Sequence, residues 1–211
     1  MGALYYVPII HGMDFRNIML FALHKGKDAL AKQYNEVNDF EAMLQARIPQ
    51  FLANSNLDLS ELHIKADGLV DSPGMNCHEA LDVCKKMARA GSIVHKIITD
   101  LCSQGARVWG TEDPDVISLW QGLAKDCELD DQTAKELLID RDQYIASDIC
   151  YIGRNDNDRS VLCFMGASHN VPLRLRQREC VFDLIHPISR KDIIDTIPGY
   201  LGRGFYFDNL L

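Results

Sequence analysis

Residues 160–169 read SVLCFMGASH, and positions 161–165 of this stretch are apolar without interruption. A short run that does not alternate between polar and apolar residues is typical of a strand buried on both faces of a sheet. Small residues follow at 166–168, and then a histidine. We therefore predict a buried strand over Ser160–Met165, with His169 just beyond its carboxyl end.

Strand and helix patterns alternate along the rest of the chain. Four further strands are predicted over Leu4–Ile10, Leu62–Leu69, Ala106–Trp109 and Cys180–Ile185, and helices over Lys27–Ala53, Glu79–Ala90, Ser92–Cys102, Asp115–Lys125 and Thr133–Ile152. This alternation favours an α/β fold, with a central parallel or mixed sheet of about 4–5 strands flanked by helices.

The chain has 211 residues, a length that suits one domain with a sizeable core. We predict an α/β domain over residues 1–188 that carries the site, followed by a C-terminal tail over 189–211. The tail ends in large apolar residues, namely Phe205, Tyr206, Phe207, Leu210 and Leu211. They would form an exposed apolar patch unless they pack, so we expect the tail to lie on the domain or at the interface of a homo-oligomer or larger assembly.

The formal net charge of −8 repels phosphate backbones, so no nucleic-acid partner is expected. The basic residues Arg174, Arg176 and Arg178 alternate along the chain, which predicts one exposed face of a strand or loop.

No apolar stretch reaches the roughly 18 residues of a transmembrane helix, and the N-terminus lacks the pattern of a signal peptide. We therefore expect no membrane association.

The chain contains seven cysteines, an odd number, and no C-x-x-C pair. Their spacing matches neither a zinc finger nor a disulfide framework. The simplest interpretation is a cytoplasmic protein with reduced and mostly buried thiols. We therefore predict that no intrachain disulfide forms.

Polar residues follow three of the predicted strands: His11 after the first, Glu112 after the third and His169 after the fourth. In open α/β sheets ligands bind beyond the carboxyl ends of the strands. Each residue alone also has an ordinary structural interpretation, because the histidines could bond a carbonyl group and Glu112 could cap the helix that starts at Asp113-Pro114. Together they predict one polar site, with the imidazoles of His11 and His169 facing the same cleft.

The helix predicted before the fourth strand carries Arg141, Tyr144 and Asp148 on one face. This face is either a solvated charged surface or a guanidinium turned toward the sheet. Since Arg141 lies within the apolar stripe of that helix, we predict that it enters the cleft and pairs with a carboxylate, either Glu112 or Asp67. Asp67 lies near the end of the second predicted strand, beside Gly68.

Several common catalytic motifs are absent from the sequence: the Walker loop, G-x-G-x-x-G, G-x-S-x-G and H-E-x-x-H. Their absence disfavours the most frequent nucleotide-binding, serine hydrolase and zincin sites.

An ordered set of segments nevertheless resembles a known superfamily. The segments are VPIIHG (7–12), KADGL (65–69), GTEDP (110–114), RDQYIASDI (141–149) and LCFMGASHNV (162–171). This set resembles the TraB, Tiki, ChaN and erythromycin-esterase group of α/β proteins, and within it a compact prokaryotic branch. The first segment reads P-I-I-H where the group has G-x-x-H. The resemblance implies a site at the strand ends, in a group that includes metal-dependent proteases, an ester hydrolase and a haem-binding protein.

Our first hypothesis is a metal-dependent or histidine-based hydrolase of the protease, peptidase or esterase type, acting on a small molecule or a peptide. The expected catalytic residues are His11, Glu112, Arg141 and His169. Of these, His11, Glu112 and His169 are also the expected ligands of Mn²⁺, Zn²⁺ or Co²⁺. Asp67, Asp142 and Tyr144 are expected to orient the catalytic residues or to bind a cofactor. Without a metal, one histidine would act as general base. The alternative is a non-catalytic binding or sensing subunit for a small ligand, haem or a protein partner.

Overall fold

Five parallel strands form one sheet in the computed structural model, which describes residues 2–9, 26–71, 75–126, 130–155, 159–166, 169–180 and 182–196. The strands are β1 (Ala3–Ile9), β2 (Leu62–Ala66), β3 (Arg107–Val108), β4 (Ser160–Gly166) and β5 (Asp183–Ile185). They pair in the order β3-β2-β4-β1-β5, and every pair is parallel. The predicted α/β fold is therefore confirmed, with the sheet parallel throughout these five strands.

Seven α-helices connect and flank the strands within the described ranges. They are α1 (Lys27–Asn54), α2 (Cys77–Arg89), α3 (Ile93–Ser103), α4 (Pro114–Asp126), α5 (Asp131–Asn155), α6 (Val171–Gln177) and α7 (Arg190–Thr196). None of them is both long and apolar enough to span a membrane.

The apolar stretch 161–165 is the middle of the sheet, because β4 pairs with β2 on one side and with β1 on the other. Its side chains alternate between two cores. Leu162 and Phe164 pack with the face covered by α1, α2 and α3, whereas Val161, Cys163 and Met165 pack with the face covered by α5 and α6. This two-sided burial explains why the stretch is apolar at every position.

The register of the sheet brings the ends of three strands together. Ile9 of β1 lies beside Gly166 of β4, and Ala66 of β2 lies beside Phe164. The predicted second strand stops at Ala66 because the chain turns at Asp67-Gly68, where Gly68 has a φ of 80°. Glycine adopts this left-handed conformation without the steric penalty of a Cβ atom.

The expectation that Arg174, Arg176 and Arg178 form the face of a strand or loop is wrong. Arg174 and Arg176 lie on α6, and Arg178 follows it as the C-cap. The side chain of Asn170 accepts a hydrogen bond from the backbone N–H of Leu173 (3.3 Å), and proline occupies the first turn of the helix. A helix of seven residues is too short for these arginines to reveal its period.

The prediction that no intrachain disulfide forms is also wrong, because Cys150 and Cys180 are linked, with their Cα atoms 5.7 Å apart. Cys150 lies near the end of α5, and Cys180 follows α6, which packs against α5. Cys77, Cys84, Cys102 and Cys163 are free, whereas Cys127 lies outside the described residues. The disulfide removes one premise of the predicted cytoplasmic location, which stays a prediction.

The start of the predicted tail packs onto the main sheet domain. Within it Ile193 is buried in the core on the α1 side, as is Ile188, the last residue of the predicted domain, and Arg47 of α1 contacts Asp192 of α7 at 3.3 Å. Residues 197–211 lie outside the described residues, and so does the prediction for the aromatic end of the tail.

Replacing both Cys150 and Cys180 by serine should lower the free energy of unfolding by about 2–4 kcal/mol, because the unfolded chain is no longer cross-linked. Urea denaturation with and without reductant measures this effect. Reductant should destabilise the native protein and leave the double variant unchanged, and Cys77→Ser serves as the control at a free cysteine. Equal stability of the native protein and the double variant without reductant would contradict the expectation.

Candidate functional site

Asp67 follows β2 directly and is held by two hydrogen bonds to the end of β4. Its backbone N–H donates to the carbonyl of Phe164 (2.8 Å), and its Oδ2 accepts from the backbone N–H of Gly166 (2.9 Å). Only 6% of the side chain is exposed. The turn after β2 therefore places a buried carboxylate directly beside the end of the central strand.

Glu112 follows β3 and is turned toward the same point. It forms an isolated bridge with Val70, its carboxylate has no exposed surface, and its Oε1 accepts from the backbone N–H of Gly68 (3.2 Å). The alternative role as a helix cap falls to Asp113, whose Oδ1 accepts from the backbone N–H groups of Asp115 (2.8 Å) and Val116 (3.3 Å). Glu112 is thus available to the site.

Arg141 of α5 joins the two carboxylates. Its Nε donates to Oε2 of Glu112 (3.0 Å), and its Nη2 donates to Oε1 of Glu112 (2.7 Å) and to Oδ1 of Asp67 (2.7 Å). The prediction that Arg141 pairs with Glu112 or Asp67 is confirmed, and it pairs with both. Charge-assisted contacts of this forked kind are short and fix orientation.

Trp120 of α4 is a member of this site that the sequence analysis missed. The guanidinium of Arg141 lies 5.3 Å from the centre of its indole ring, within the range of a cation–π contact. A tryptophan eight positions after a strand-end glutamate is a weak signal. Whether Trp120 contacts Arg141 depends on how α4 and α5 pack against each other, which the sequence does not show.

His169 follows β4 and lies between two carboxylates. Its Nδ1 is 2.6 Å from Oδ1 of Asp142, and its Nε2 is 3.3 Å from Oδ2 of Asp67. Asp142 also accepts from the backbone N–H of Asn170 (2.8 Å), and the hydroxyl of Tyr6 donates to the carbonyl of His169 (3.1 Å). The predicted contact between an aspartate and the imidazole is therefore present, with Asp142 fixing the ring through Nδ1.

The surroundings shift the protonation of two of these groups. Burial opposes protonation of His169, but its contacts with Asp142 and Asp67 outweigh this effect and raise its pKa from 6.5 to about 9. Burial raises the pKa of Glu112, while Arg141 acts in the opposite direction. The cluster thus combines the carboxyl groups of Asp67, Glu112 and Asp142 with two cationic partners.

Asp67, Glu112 and His169 form a buried group that could hold a metal ion. One donor atom from each residue lies within 4.8 Å of the others. Two members of the predicted ligand set, Glu112 and His169, are therefore brought together, and Asp67 joins them. His11 lies outside the described residues, and so does the predicted convergence of its imidazole with that of His169.

The other predicted residues of α5 reach different parts of the same rim. Tyr144 donates to Oδ2 of Asp71 (3.1 Å), and Asp148 pairs with Lys65. Lys65 also donates to the carbonyl of Gly110 (2.6 Å). These contacts tie α5 to the loops after β2 and β3, and the predicted role of Tyr144 in cofactor binding stays a prediction.

No family model matches the chain, and neither the curated proteins nor the solved structures contain a match to it.

Replacing Arg141 by alanine should lower the free energy of unfolding by about 3–5 kcal/mol, because Glu112 would remain buried without its cationic partner. Arg141→Lys should also be destabilising, since an ammonium group cannot reproduce the planar fork. Urea denaturation measures both effects. Arg89→Ala, at an exposed position of α2, is the control and should stay within about 0.5 kcal/mol of the native protein. If Arg141→Ala is no more destabilising than this control, the ion pair does not stabilise the fold.

The stability of the metal-free protein should fall as the pH rises from about 6.5 to 9. The folded-state pKa of His169 is raised to about 9, so the stabilisation is complete below the unfolded value near 6.5 and is lost as the pH rises through 9. The expected loss is on the order of 3 kcal/mol. Unfolding in urea with a chelator present measures it.

His169→Gln should lack this part of the pH dependence, and His78→Gln, at an exposed position, should retain it. A difference between the native protein and His169→Gln that stays constant over this pH range would show that the imidazole does not titrate in the expected way.

Proposed function

We propose that the protein is a hydrolase of the peptidase or esterase type that binds a divalent metal through Asp67, Glu112 and His169. The observation that carries the proposal is the convergence of these three donor atoms within 4.8 Å, in buried positions at the strand ends. Buried polar groups that converge beside a cavity are typical of active sites.

The donor chemistry suits a divalent transition metal. One imidazole nitrogen and two carboxylate oxygens are ligands that Mn²⁺, Zn²⁺ and Co²⁺ accept. The contact between Asp142 and Nδ1 of His169 (2.6 Å) is the support that metal-bound histidines usually receive from an outer carboxylate. A metal ion would replace the proton at Nε2, which lies 3.3 Å from Oδ2 of Asp67. Each carboxylate oxygen carries two lone pairs, so the hydrogen bonds from Arg141 leave acceptor capacity at Asp67 and Glu112.

A divalent cation held by Asp67, Glu112 and His169 would supply Lewis-acid chemistry, which polarises a carbonyl group and makes water more acidic. The protein's own groups provide the remaining functions. Asp142 holds the imidazole of His169 in one orientation, so that its Nε2 is directed at the position between Asp67 and Glu112 that a metal would take. Arg141 uses Nε and Nη2 for the carboxylates, and its Nη1 donates to no described residue. That group is the donor we assign to the oxygen that becomes negative during hydrolysis.

The order of the sequence motifs supports the same proposal. His169 after β4, Arg141 on the preceding helix and Glu112 after β3 belong to the segments that resemble the TraB, Tiki, ChaN and erythromycin-esterase group. We propose membership of that group, in which metal-dependent proteases occur. Peptides and esters are accordingly the first substrates to test.

The alternative is a binding module without catalysis, and one observation favours it. Arg141 already contacts both carboxylates, through three hydrogen bonds of 3.0 Å or less. A cluster paired in this way can be stable without a metal and can serve a purely structural or ligand-binding role. The two functions differ in whether the cluster takes up a cation.

Metal-free protein should bind Mn²⁺, Zn²⁺ or Co²⁺ at one site per chain in calorimetric titrations. Asp142→Asn should weaken this binding about 10–100-fold, because the imidazole loses its outer carboxylate. Glu112→Gln and His169→Gln should abolish it, whereas Glu136→Gln, at an exposed position of α5, should bind normally.

Hydrolysis of ester and peptide libraries should then depend on the same metal and on the same residues. Metal binding that is unaffected by Glu112→Gln and His169→Gln would exclude the assigned site. Binding at the assigned site without hydrolysis of any library member would favour the binding module.

A further inference from the structure

A cavity of about 360 Å³ lies directly beside the metal-binding cluster. Asp67 and Gly68 contribute to its wall at the end of β2, and Ile9 contributes at the end of β1. Small-molecule sites typically have volumes of about 300–1,000 Å³ and occur at such strand ends. The cavity therefore has the size and the position of a substrate pocket for the proposed reaction.

Four apolar side chains also line the cavity. They are Leu69, Val83, Met87 and Val94, which come from the turn after β2 and from helices α2 and α3. Met87 is 45% exposed, so its flexible thioether side chain is accessible to a ligand in the cavity. An aliphatic or thioether surface of this kind accepts an apolar side chain and excludes water from it.

Two acidic residues line the cavity, Asp67 and Glu41 of α1, and Asp67 is already paired with Arg141. Burial raises the pKa of the Glu41 carboxyl group, and among the described residues none forms an ion pair with it. His95, on the same wall, has its Nδ1 2.8 Å from the hydroxyl oxygen of Ser92. A partly buried carboxylate without a described cationic partner favours a ligand that carries the positive charge.

We propose that this cavity binds the N-terminal residue of a peptide, or a related amine, whose side chain is apolar. The ammonium group pairs with Glu41, and the side chain packs against Leu69, Val83 and Met87. The inference rests on the proposed function only in placing the scissile carbonyl toward Asp67. The binding itself requires neither metal nor catalysis.

Binding of L-leucinamide tests the inference, with its deamino analogue 4-methylpentanamide as the neutral isostere. Calorimetry or NMR titration is performed on metal-free protein at a pH of about 6, where the α-amino group is charged. Leucinamide should bind at least about tenfold more tightly than the isostere, as expected for one charge-assisted contact of about 1.4 kcal/mol. Glu41→Gln should reduce the affinity for leucinamide to that for the isostere and leave the isostere unaffected.

Asp39→Asn, at an exposed position of the same helix, is the matched control and should bind like the native protein. Equal affinity for the two compounds, an unchanged affinity in Glu41→Gln, or the absence of saturable binding to the native protein would each overturn the assignment.

His169→Gln separates this inference from the proposed hydrolase function. It should bind leucinamide normally while losing any hydrolysis. Leucinamide binding through Glu41 in a protein that hydrolyses nothing would leave the cavity assignment intact and remove the hydrolase. Hydrolysis of N-acetylated peptides as fast as of free peptides, with Glu41→Gln unaffected, would remove the cavity assignment and keep the hydrolase.

Discussion

The forked ion pair between Arg141 and Glu112 is the contact on which the geometry of the site depends. Glu112 has no exposed surface, and a buried carboxylate is strongly unfavourable unless a cation and hydrogen-bond donors accompany it. Arg141 provides both and also reaches Asp67. Because Arg141 belongs to α5 whereas the carboxylates follow β3 and β2, the pair holds one helix against the ends of two strands. Trp120 packs over the guanidinium and limits its access to water.

The position of α5 then determines the environment of His169. Asp142 is the next residue on that helix, and it contacts both the imidazole and the backbone N–H of Asn170. The disulfide between Cys150 and Cys180 ties the far end of α5 to the segment that follows α6. The segment after β4 that carries His169 and α6 is thus attached to α5 at both of its ends. An imidazole held in this way is oriented before any ligand arrives, which is the condition for efficient proton transfer or metal binding.

The fold and part of the site could be predicted from the sequence because the relevant signals are local or energetic. The strand 161–165 is apolar at every position since both of its faces are covered. A guanidinium within an apolar stripe requires a carboxylate, so the pairing of Arg141 could be predicted from its place in the helix alone.

Other features depend on contacts between residues that are far apart in the sequence, and the sequence pattern does not reveal such contacts. The disulfide joins residues 30 positions apart, the short helix α6 is too brief to reveal its period, and the cavity that contains Glu41 exists only where helices and strand ends meet. The sequence predicts that Asp67 orients an imidazole or binds a cofactor; its place beside Glu112 and His169 follows from the point at which β2 ends.

The central claim is that Asp67, Glu112 and His169 together bind a divalent metal. The most direct measurement is anomalous X-ray diffraction from crystals of the protein grown with Mn²⁺ or Co²⁺, recorded on either side of the metal's absorption edge. We expect one strong anomalous peak between the three side chains, about 2.0–2.3 Å from one donor atom of each. Asp142 should remain in contact with Nδ1 of His169. Crystals that show no peak at this position at saturating metal, with Arg141 still bridging the two carboxylates, would contradict the claim.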